Sequence, residues 1–468
     1  MTDKNNTLPV YQTDTEKLKA GWDYFMGELE SARNAIDDPA FFPPSPSGRN
    51  LAEGYKYLAG FMHHGVERAF HEDVDFPQFR NGLSVINKST IDNPDAIYFY
   101  APIDGRQTYV VKATLADTTH WRGGEKLIAV PTAPQYVIFD AFSGSITGDS
   151  GTLAELMPGT RSSFGLLDSA SLIVSPKGEL EILLAPEKPA DYAGNFICTK
   201  KLANPDKCNN EDCYADYVTG RQLFYDWDWE EPINLTILSV DHIGLHPKPL
   251  SADKVYDNLK RMGDIVRGQM HFWLSFYNKL LNCKGSYPSG ENDQYFFPVN
   301  GFNKPNAASS ATGGGMSSNI YAGGIFKLAA GEALYVEATY QGSPDYVSIH
   351  LGNLWGESPD YSNHQSSLNL QQMYIGEDGV QRWIIAHDNP GVQNWLDTTG
   401  LEEGYVTNRW AYSTMPDEQD WPTIKARVIK VKDVENYIPS DMPRSTAEQH
   451  RDVIALRQLH IQRRYRSF

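Results

Sequence analysis

The chain has 468 residues, of which 41% are hydrophobic, so it can build more than one core and does not have the composition of a disordered protein. Its 41 basic and 59 acidic residues give a formal net charge of −18, which argues against the basic surface that nucleic acids and anionic membranes require. No stretch approaches the roughly 20 apolar residues of a transmembrane helix, and the first residues lack the segments of a secretion signal. We therefore expect a soluble, cytoplasmic protein that binds neither nucleic acid nor membrane.

Residues 1–90 predict a helical region. Apolar residues recur at steps of three and four within 18–36 and again within 51–69, a spacing that places them on one face of each of two helices. His63 and His64 in the second helix invite a metal-binding interpretation, but neighbouring histidines on a helix diverge by about 100°. We therefore interpret them as solvated or partner-facing.

The rest of the chain divides by its sequence pattern into four further regions. Short β-rich runs between turns fill 91–248, and the same pattern resumes over 319–435. Between them, 249–318 predicts a linking helix with Ser251 as its N-cap and a mobile Gly/Ser-rich loop. The last region, 436–468, predicts a basic helix that opens with a capping box of Ser445 and Glu448 and docks on the chain's own acidic surface or on a second subunit. We expect a homo-oligomer that forms through the terminal helices.

Five short motifs occur twice in the same order, which indicates an internal duplication. The clearest pair is YVTGR (217–221) and YVTNR (405–409), which predicts equivalent strand positions for Arg221 and Arg409. The other pairs are VVKAT (110–114) with YVEAT (335–339), PQYV (134–137) with PDYV (344–347), KGELEILLA (177–185) with DGVQRWIIA (378–386), and Asn195-Phe196 with Asn394-Trp395. The predicted fold is mainly β, with two tandem related antiparallel β-sandwich domains of jelly-roll type and helices at both ends.

The ordered set NPDAIYFYAPIDG, RQLFYDWDWEEP, ALYVEATY, LGNLWGESPDY, IIAHDNPGVQNWLDTTG and VTNRW resembles a large, poorly characterised bacterial family. The C-terminal module of that family is catalogued as a domain of unknown function (number twelve-fourteen). The resemblance covers most of residues 75–440 and implies β-sandwich modules of jelly-roll type. It implies no reaction, so the function is argued from the residues.

Strong catalytic and cofactor motifs are absent from the sequence. It has no P-loop, no GxSxG elbow, no HExxH sequence and no dinucleotide-binding fingerprint. A metal site of the cupin type needs clustered histidines, and the chain has no HxH pair. We therefore expect neither a metal nor a redox cofactor.

The segment HDNPGVQNWLDTTGLEEGYVTNRW carries most of the candidate catalytic residues. Its DNPG turn signal places His387 and Asp388 at the end of a strand, where the loops of a rigid sandwich usually carry function. We assign His387 as general acid/base and Asp388 or Asp360 as the group that orients it. Arg409 is the electrostatic stabiliser, able to hold a carboxylate or an oxyanion. Because Arg409 has a twin in Arg221, a structural brace in each copy is the alternative.

Aromatic and amide side chains form the walls of the site in this hypothesis. The candidate substrate-binding residues are Trp355, Tyr361, Asn353, Asn394, Trp395 and Tyr321. The first three lie in GNLWGESPDYSNHQSS, where acidic residues stand beside Trp and Tyr and can bind a hydroxylated or cationic ligand. The alternative is an irregular loop that covers the sandwich.

Together these residues predict a catabolic enzyme of hydrolase or lyase type without a redox cofactor. It would act on a neutral, partly hydrophobic organic molecule in a cleft between the two β-domains. The alternative is a non-catalytic β-sandwich protein that binds carbohydrate or lipid, for which the 26 Tyr and 10 Trp are suited.

Overall fold

The computed structural model describes residues 10–41, 47–157, 160, 162–202, 211–285, 293–307 and 319–465. Within these ranges the chain is mainly β, with helices before, between and after its sheets, as the sequence predicted. Of the Gly/Ser-rich loop predicted within 249–318, residues 308–318 lie outside the described residues. None of the described helices is both long enough and apolar enough to span a membrane.

The helices follow the apolar periodicity of the sequence. They are α1 (Val10–Asn34), α2 (Gly48–His71), α3 (Ala252–Asn282) and α4 (Ala447–Arg464). The side chain of Ser251 caps α3, as predicted. The capping box of α4 is Thr446 with Gln449, one residue later than the predicted pair that begins at Ser445. An N-cap side chain accepts a hydrogen bond from a backbone N–H that has no partner within the helix, which fixes where the helix starts.

The first sandwich consists of two packed sheets. Sheet 1a has the strand order β1-β2-β10-β4-β5 and sheet 1b the order β11-β3-β6-β7. The strands are β1 (Arg80–Leu83), β2 (Ala96–Pro102), β3 (Tyr109–Thr114), β4 (Tyr136–Ser143), β5 (Ser162–Asp168), β6 (Glu179–Ala185), β7 (Asn195–Cys198), β10 (Tyr217–Leu223) and β11 (Thr236–Ser239). A separate hairpin joins β8 (Lys200–Lys201) to β9 (Cys213–Tyr214). The first strand, β1, lies within the region predicted to be helical.

The second sandwich repeats this arrangement. Sheet 2a has the strand order β12-β18-β14-β15 and sheet 2b the order β17-β16-β13-β19. The strands are β12 (Asn319–Lys327), β13 (Glu332–Thr339), β14 (Tyr346–Gly352), β15 (Ser367–Asn369), β16 (Gln381–Ala386), β17 (Trp395–Asp397), β18 (Glu403–Ala411) and β19 (Thr423–Lys430). Each sandwich contains one parallel pair, β6 with β7 and β16 with β17, and its other named strand pairs are antiparallel.

The registers of the two sandwiches match residue by residue. Arg221 on β10 stands opposite Tyr98 on β2, and Arg409 on β18 stands opposite Tyr321 on β12. The predicted equivalence of the two arginines is therefore confirmed. Because a slip of one residue would turn every side chain to the opposite face of its strand, the shared register means that the two copies present equivalent faces.

The helices cover one outer face of the second sandwich. Apolar side chains of α1, α2 and α3 form one buried cluster with residues of sheet 2a, including Ile325 and Tyr405. The apolar residues between the sheets form a separate core in each sandwich. The outer faces of sheets 1a and 2a, together with α2 and α3, enclose a cavity.

Candidate functional site

The cavity between the two sandwiches has a volume of about 1010 Å³. Strand alternation builds its walls, because successive side chains of a strand point to opposite faces. On β4, Val137 and Phe139 point into the core of the first sandwich, whereas Tyr136, Ile138 and Asp140 line the cavity. Aromatic residues of α3 and of the segment before β12 close the other side; they are Phe272, Trp273, Phe276, Phe296 and Phe297.

Arg221 and Arg409 both face the cavity from their equivalent positions. The guanidinium of Arg221 lies 5.2 Å from the ring centre of Tyr98, and that of Arg409 lies 5.7 Å from the ring centre of Tyr321. A cation over a tyrosine ring is attracted by the negative face of the ring. Arg409 and Tyr321 are the two sequence candidates that this cavity brings together.

Arg409 is held in an unusual environment for a cation. The residue is 6% exposed, and it forms no ion pair with any described residue. Its Nη2 donates to the carbonyl of Ile91 at 3.5 Å, and its Nε is buried with no described hydrogen-bond partner. Burial lowers the pKa of Arg409, but the phenol groups of Tyr321, Tyr98 and Tyr346 together raise it by more, so the group stays protonated.

Asp140 is an acid/base candidate in the wall of the cavity. The hydroxyl of Ser163 donates to both of its carboxylate oxygens at 2.8 Å, and both residues line the cavity. Burial raises the pKa of Asp140 to about 6, and the bond from Ser163 opposes that rise without cancelling it. A carboxylate with a pKa near the pH of its surroundings suits proton transfer.

His64 lies at the helical wall of the cavity, contrary to the interpretation of a solvated or partner-facing side chain. It is 5% exposed, and its ring centre lies 6.3 Å from that of Tyr100. Burial, helped by the nearby Arg68, lowers the pKa of His64 to about 3. The imidazole is therefore neutral near pH 7, and it can exchange hydrogen bonds with a ligand but not attract it by charge.

The remaining eight candidates lie elsewhere. His387 is half-buried at the end of β16; its Nε2 donates to the carbonyl of Leu328 at 3.1 Å, and its Nδ1 pairs with the hydroxyl of Thr398 at 2.8 Å. Asp388 is exposed. Neither residue lines the cavity, so the predicted pair of His387 and Asp388 is not part of it. The hydrogen bonds of His387 join the loops that follow β12 and β17.

Trp355 and Asn353 belong to the loop that covers sheet 2a, which was the alternative for this segment. Trp355 is fully buried; its ring packs over Gly54 of α2, and its Nε1 donates to the carbonyl of Asn50 at 2.9 Å. The Oδ1 of Asn353 accepts from the backbone N–H groups of Trp355 and Glu357, at 3.0 and 3.1 Å. Both side chains therefore shape the loop and anchor it to the helices.

Tyr361 and Asp360 lie near α4. Tyr361 is 2% exposed; its hydroxyl pairs with that of Tyr465 at 3.3 Å, and its carbonyl accepts from Arg457 at 3.1 Å. Asp360 is exposed and accepts from the side chain of Asn363 at 2.7 Å. The contacts of Tyr361 dock the C-terminal helix, whereas the contact of Asp360 is local to its own loop.

Asn394 and Trp395 brace sheet 2b. The Oδ1 of Asn394 accepts from the backbone N–H of Tyr374 at 2.8 Å, and its Nδ2 donates to the carbonyls of Tyr374 and Arg382 at 2.6 and 2.8 Å. Asn195 makes the same three bonds at the equivalent position of the first sandwich. The indole of Trp395 donates to a backbone carbonyl of its own sheet at 3.1 Å. Repetition of the bonds in both copies identifies a structural role.

A sequence signal for Asp140 exists in QYVIFDAFS. Its even positions, Tyr136, Ile138 and Phe142, are nearly as apolar as its odd positions, so the strand is apolar on both faces. Such a strand is covered on both sides. A single acid on the second face of a covered strand indicates a polar group inside a closed space.

Within the described residues, no three His, Cys, Asp or Glu side chains are grouped as metal ligands would be.

Comparisons with known proteins give a fold but no function. No family model and no curated protein matches the chain. The chain is similar to the crystal structure of an uncharacterised protein from Burkholderia cenocepacia, with 25% identity and a TM-score of 0.69 over 90% of this chain and 99% of that one. A structure from Vibrio parahaemolyticus aligns with 11% identity and a TM-score of 0.40 over 86% of this chain and 100% of that one. The uncharacterised state of the first neighbour agrees with the resemblance to a poorly characterised bacterial family.

Proposed function

We propose that the protein is an enzyme of hydrolase or lyase type that binds a partly hydrophobic organic molecule in the cavity between its two sandwiches. The observation that carries this proposal is the cavity itself, with aromatic walls and a few polar groups that converge on it. Pockets of this size and lining are typical of small-molecule sites.

Asp140 takes the acid/base role that the sequence had given to His387. In a hydrolase, its carboxylate would remove a proton from the attacking water. In a lyase, it would remove a proton from the carbon adjacent to the one that bears the leaving group, so that a double bond forms between the two carbons as the leaving group departs. Ser163 keeps the carboxylate oriented, since its hydroxyl bonds both oxygens. Asp140 thus meets both requirements of a general base: it lies in the cavity, and its pKa is close to working pH.

A matched pair of acid-to-amide variants tests this assignment. The test uses p-nitrophenyl esters from acetate to decanoate, with a second panel of β-hydroxy acids for elimination. We expect Asp140→Asn to lower kcat/KM by about 10²–10⁴-fold on any compound that is turned over. Asp388→Asn, on an exposed residue outside the cavity, should stay within twofold of the unchanged protein.

Other outcomes decide against the enzyme. Equal loss of activity in both variants, or none in either, would remove Asp140 from the mechanism. Binding of lipids or oligosaccharides without turnover of either panel would favour the non-catalytic alternative. The aromatic side chains of α3 that line the cavity are the feature that suits a lipid.

The predicted homo-oligomer stays a prediction. The basic residues of α4 that suggested a subunit contact bond within their own chain: Arg463 pairs with Glu231 at 3.0 Å, and Arg457 bonds the carbonyl of Tyr361. Docking on the chain's own surface was one of the two arrangements expected of this helix.

A further inference from the structure

We propose that the ligand of the cavity carries a carboxylate, which Arg409 and Thr407 bind. This inference rests on the proposed function only in sharing its cavity. It departs from the neutral substrate predicted from the sequence.

The first step is the missing counter-charge of Arg409. A buried cation without an anionic partner is costly, because it has lost its hydration and gained no ion pair. Arg409 is only 6% exposed, yet no described acid pairs with it. Because the guanidinium faces a cavity large enough for a ligand, the ligand can supply the missing anionic partner.

Other buried arginines of the chain show what Arg409 lacks. Arg68 is 4% exposed and forms a two-bond pair with Asp149, at 2.6 and 2.8 Å. Arg457 and Arg464, on α4, are attracted by the buried Asp95. Each of these three has a carboxylate of the protein within electrostatic reach. Arg409 has none among the described residues, and it is the one of the four that lines the large cavity.

The second step is a donor beside Arg409. Thr407 lies two residues earlier on β18, so its side chain points to the same face of the strand. It also lines the cavity, and its hydroxyl is buried with no described hydrogen-bond partner. An unused hydroxyl donor and an unused guanidinium N–H on one strand face can serve the two oxygens of a carboxylate.

The carboxylate of Asp140 lies on the opposite sandwich from Arg409. Asp140 is on sheet 1a and Arg409 is on sheet 2a, and both line the same cavity. A carboxylate ligand would be drawn to the sheet 2a side by Arg409 and kept away from the carboxylate of Asp140 by like-charge repulsion. The reacting part of the ligand would then lie toward Asp140, and the carboxylate of the ligand would lie toward Arg409.

Paired probes test the proposal by isothermal titration calorimetry. Each organic acid is compared with its neutral amide: benzoate with benzamide, 4-phenylbutyrate with 4-phenylbutanamide, and octanoate with octanamide. We expect at least one acid to bind about 10- to 100-fold more tightly than its amide, as a charge-assisted bond predicts. Arg409→Met should abolish that preference, and Arg409→Lys should keep part of it.

Arg427→Met is the matched control. Arg427 is exposed, lies 4.3 Å from the ring centre of Tyr437 and does not line the cavity, so its loss should leave the preference unchanged. The melting temperature of free Arg409→Met should equal or exceed that of the unchanged protein, because an unpaired buried charge has been removed. If Arg409→Met does not fold, Thr407→Val tests the same carboxylate site and should weaken acid binding by about 3- to 10-fold.

Three results would overturn the inference: equal binding of acids and amides, no binding of any acid in the panel, or an unchanged preference in Arg409→Met. They are distinguishable from failure of the enzyme proposal. Turnover that depends on Asp140 but shows no preference for acids refutes only the carboxylate. Acid binding through Arg409 without Asp140-dependent turnover refutes only the enzyme.

Discussion

At the scale of single residues, His387 joins two loops of the second sandwich and stands outside the cavity. We expect His387→Gln to lower the free energy of unfolding by about 1–2 kcal/mol, because its bonds to Leu328 and Thr398 are lost. Ligand affinity and kcat/KM should stay within twofold. Urea denaturation and steady-state kinetics measure the two effects. Loss of turnover at unchanged stability would return His387 to the catalytic role.

The pKa of Asp140 predicts a pH profile. As a general base Asp140 must be unprotonated, so kcat/KM should be constant above the pKa of about 6 and fall tenfold per pH unit below it. The sign for stability is the opposite. The folded protein holds this proton to a higher pH than the unfolded chain, so the contribution of Asp140 to stability is present at low pH and decreases as the pH rises from about 4 to about 6.

Two measurements check this profile. The first is kcat/KM between pH 4 and 8, where a limb at pH 4 set by a normal carboxylate would contradict the assignment. The second is the difference in unfolding free energy between the unchanged protein and Asp140→Asn. That difference should shift in favour of the variant as the pH rises through the same window.

At the scale of elements, two helical glycines offer a matched comparison. Gly27 in α1 has open space where a Cβ would lie, so Gly27→Ala should stabilise by about 0.5–1 kcal/mol through helix propensity. Gly54 in α2 lies under the Trp355 indole, and a Cβ there would overlap the ring. We expect Gly54→Ala to destabilise by about 1–3 kcal/mol despite the same gain in propensity. Thermal unfolding of the two variants should shift in opposite directions.

The repeated strands, like the helices, were a part of the fold that the sequence could predict. Each matched motif lies in or beside a strand, and an alternating strand fixes which side chains enter the core. The correspondence of Asn195 with Asn394 therefore extends to the same three hydrogen bonds. The sequence analysis assigns Asn394 to substrate binding, but a side chain that makes the same bonds in both copies supports the shared fold.

The loops and the cavity could not be predicted in the same way. The sequence predicts Trp355 and Tyr361 as walls of a site because they lie among acids in an irregular segment. Trp355 instead bonds Asn50 of α2, about 300 residues before it in the chain. Tyr361 bonds Tyr465 at the end of α4, about 100 residues after it. No local pattern records a contact over such distances. The sequence therefore showed which side chains are amphipathic, but not which surface covers them.

At the scale of the whole molecule, Asp95 connects the two sandwiches and α4. It is fully buried; its Oδ1 accepts from Trp227 at 2.9 Å and from Asn369 of β15 at 3.2 Å, and its Oδ2 accepts from the hydroxyl of Tyr346 of β14. Burial raises the pKa of Asp95, and the bond from Tyr346 and the charge of Arg464 oppose that rise. This arrangement fixes the two sandwiches relative to each other, and with them the two opposite walls of the cavity.

Asp95→Asn should therefore affect the whole molecule. The amide presents an N–H group where an oxygen had accepted a hydrogen bond, and it leaves Arg457 and Arg464 without the charge that attracts them. We expect the free energy of unfolding to fall by about 3–5 kcal/mol, the range for breaking a buried pair, whereas the exposed Asp388→Asn should change it by less than 0.5 kcal/mol. Urea denaturation measures both. Because the cavity depends on the placement of the two sandwiches, ligand affinity should weaken in Asp95→Asn although Asp95 does not line the cavity. A stability loss without any change in affinity would mean that the two sandwiches keep their places without this carboxylate.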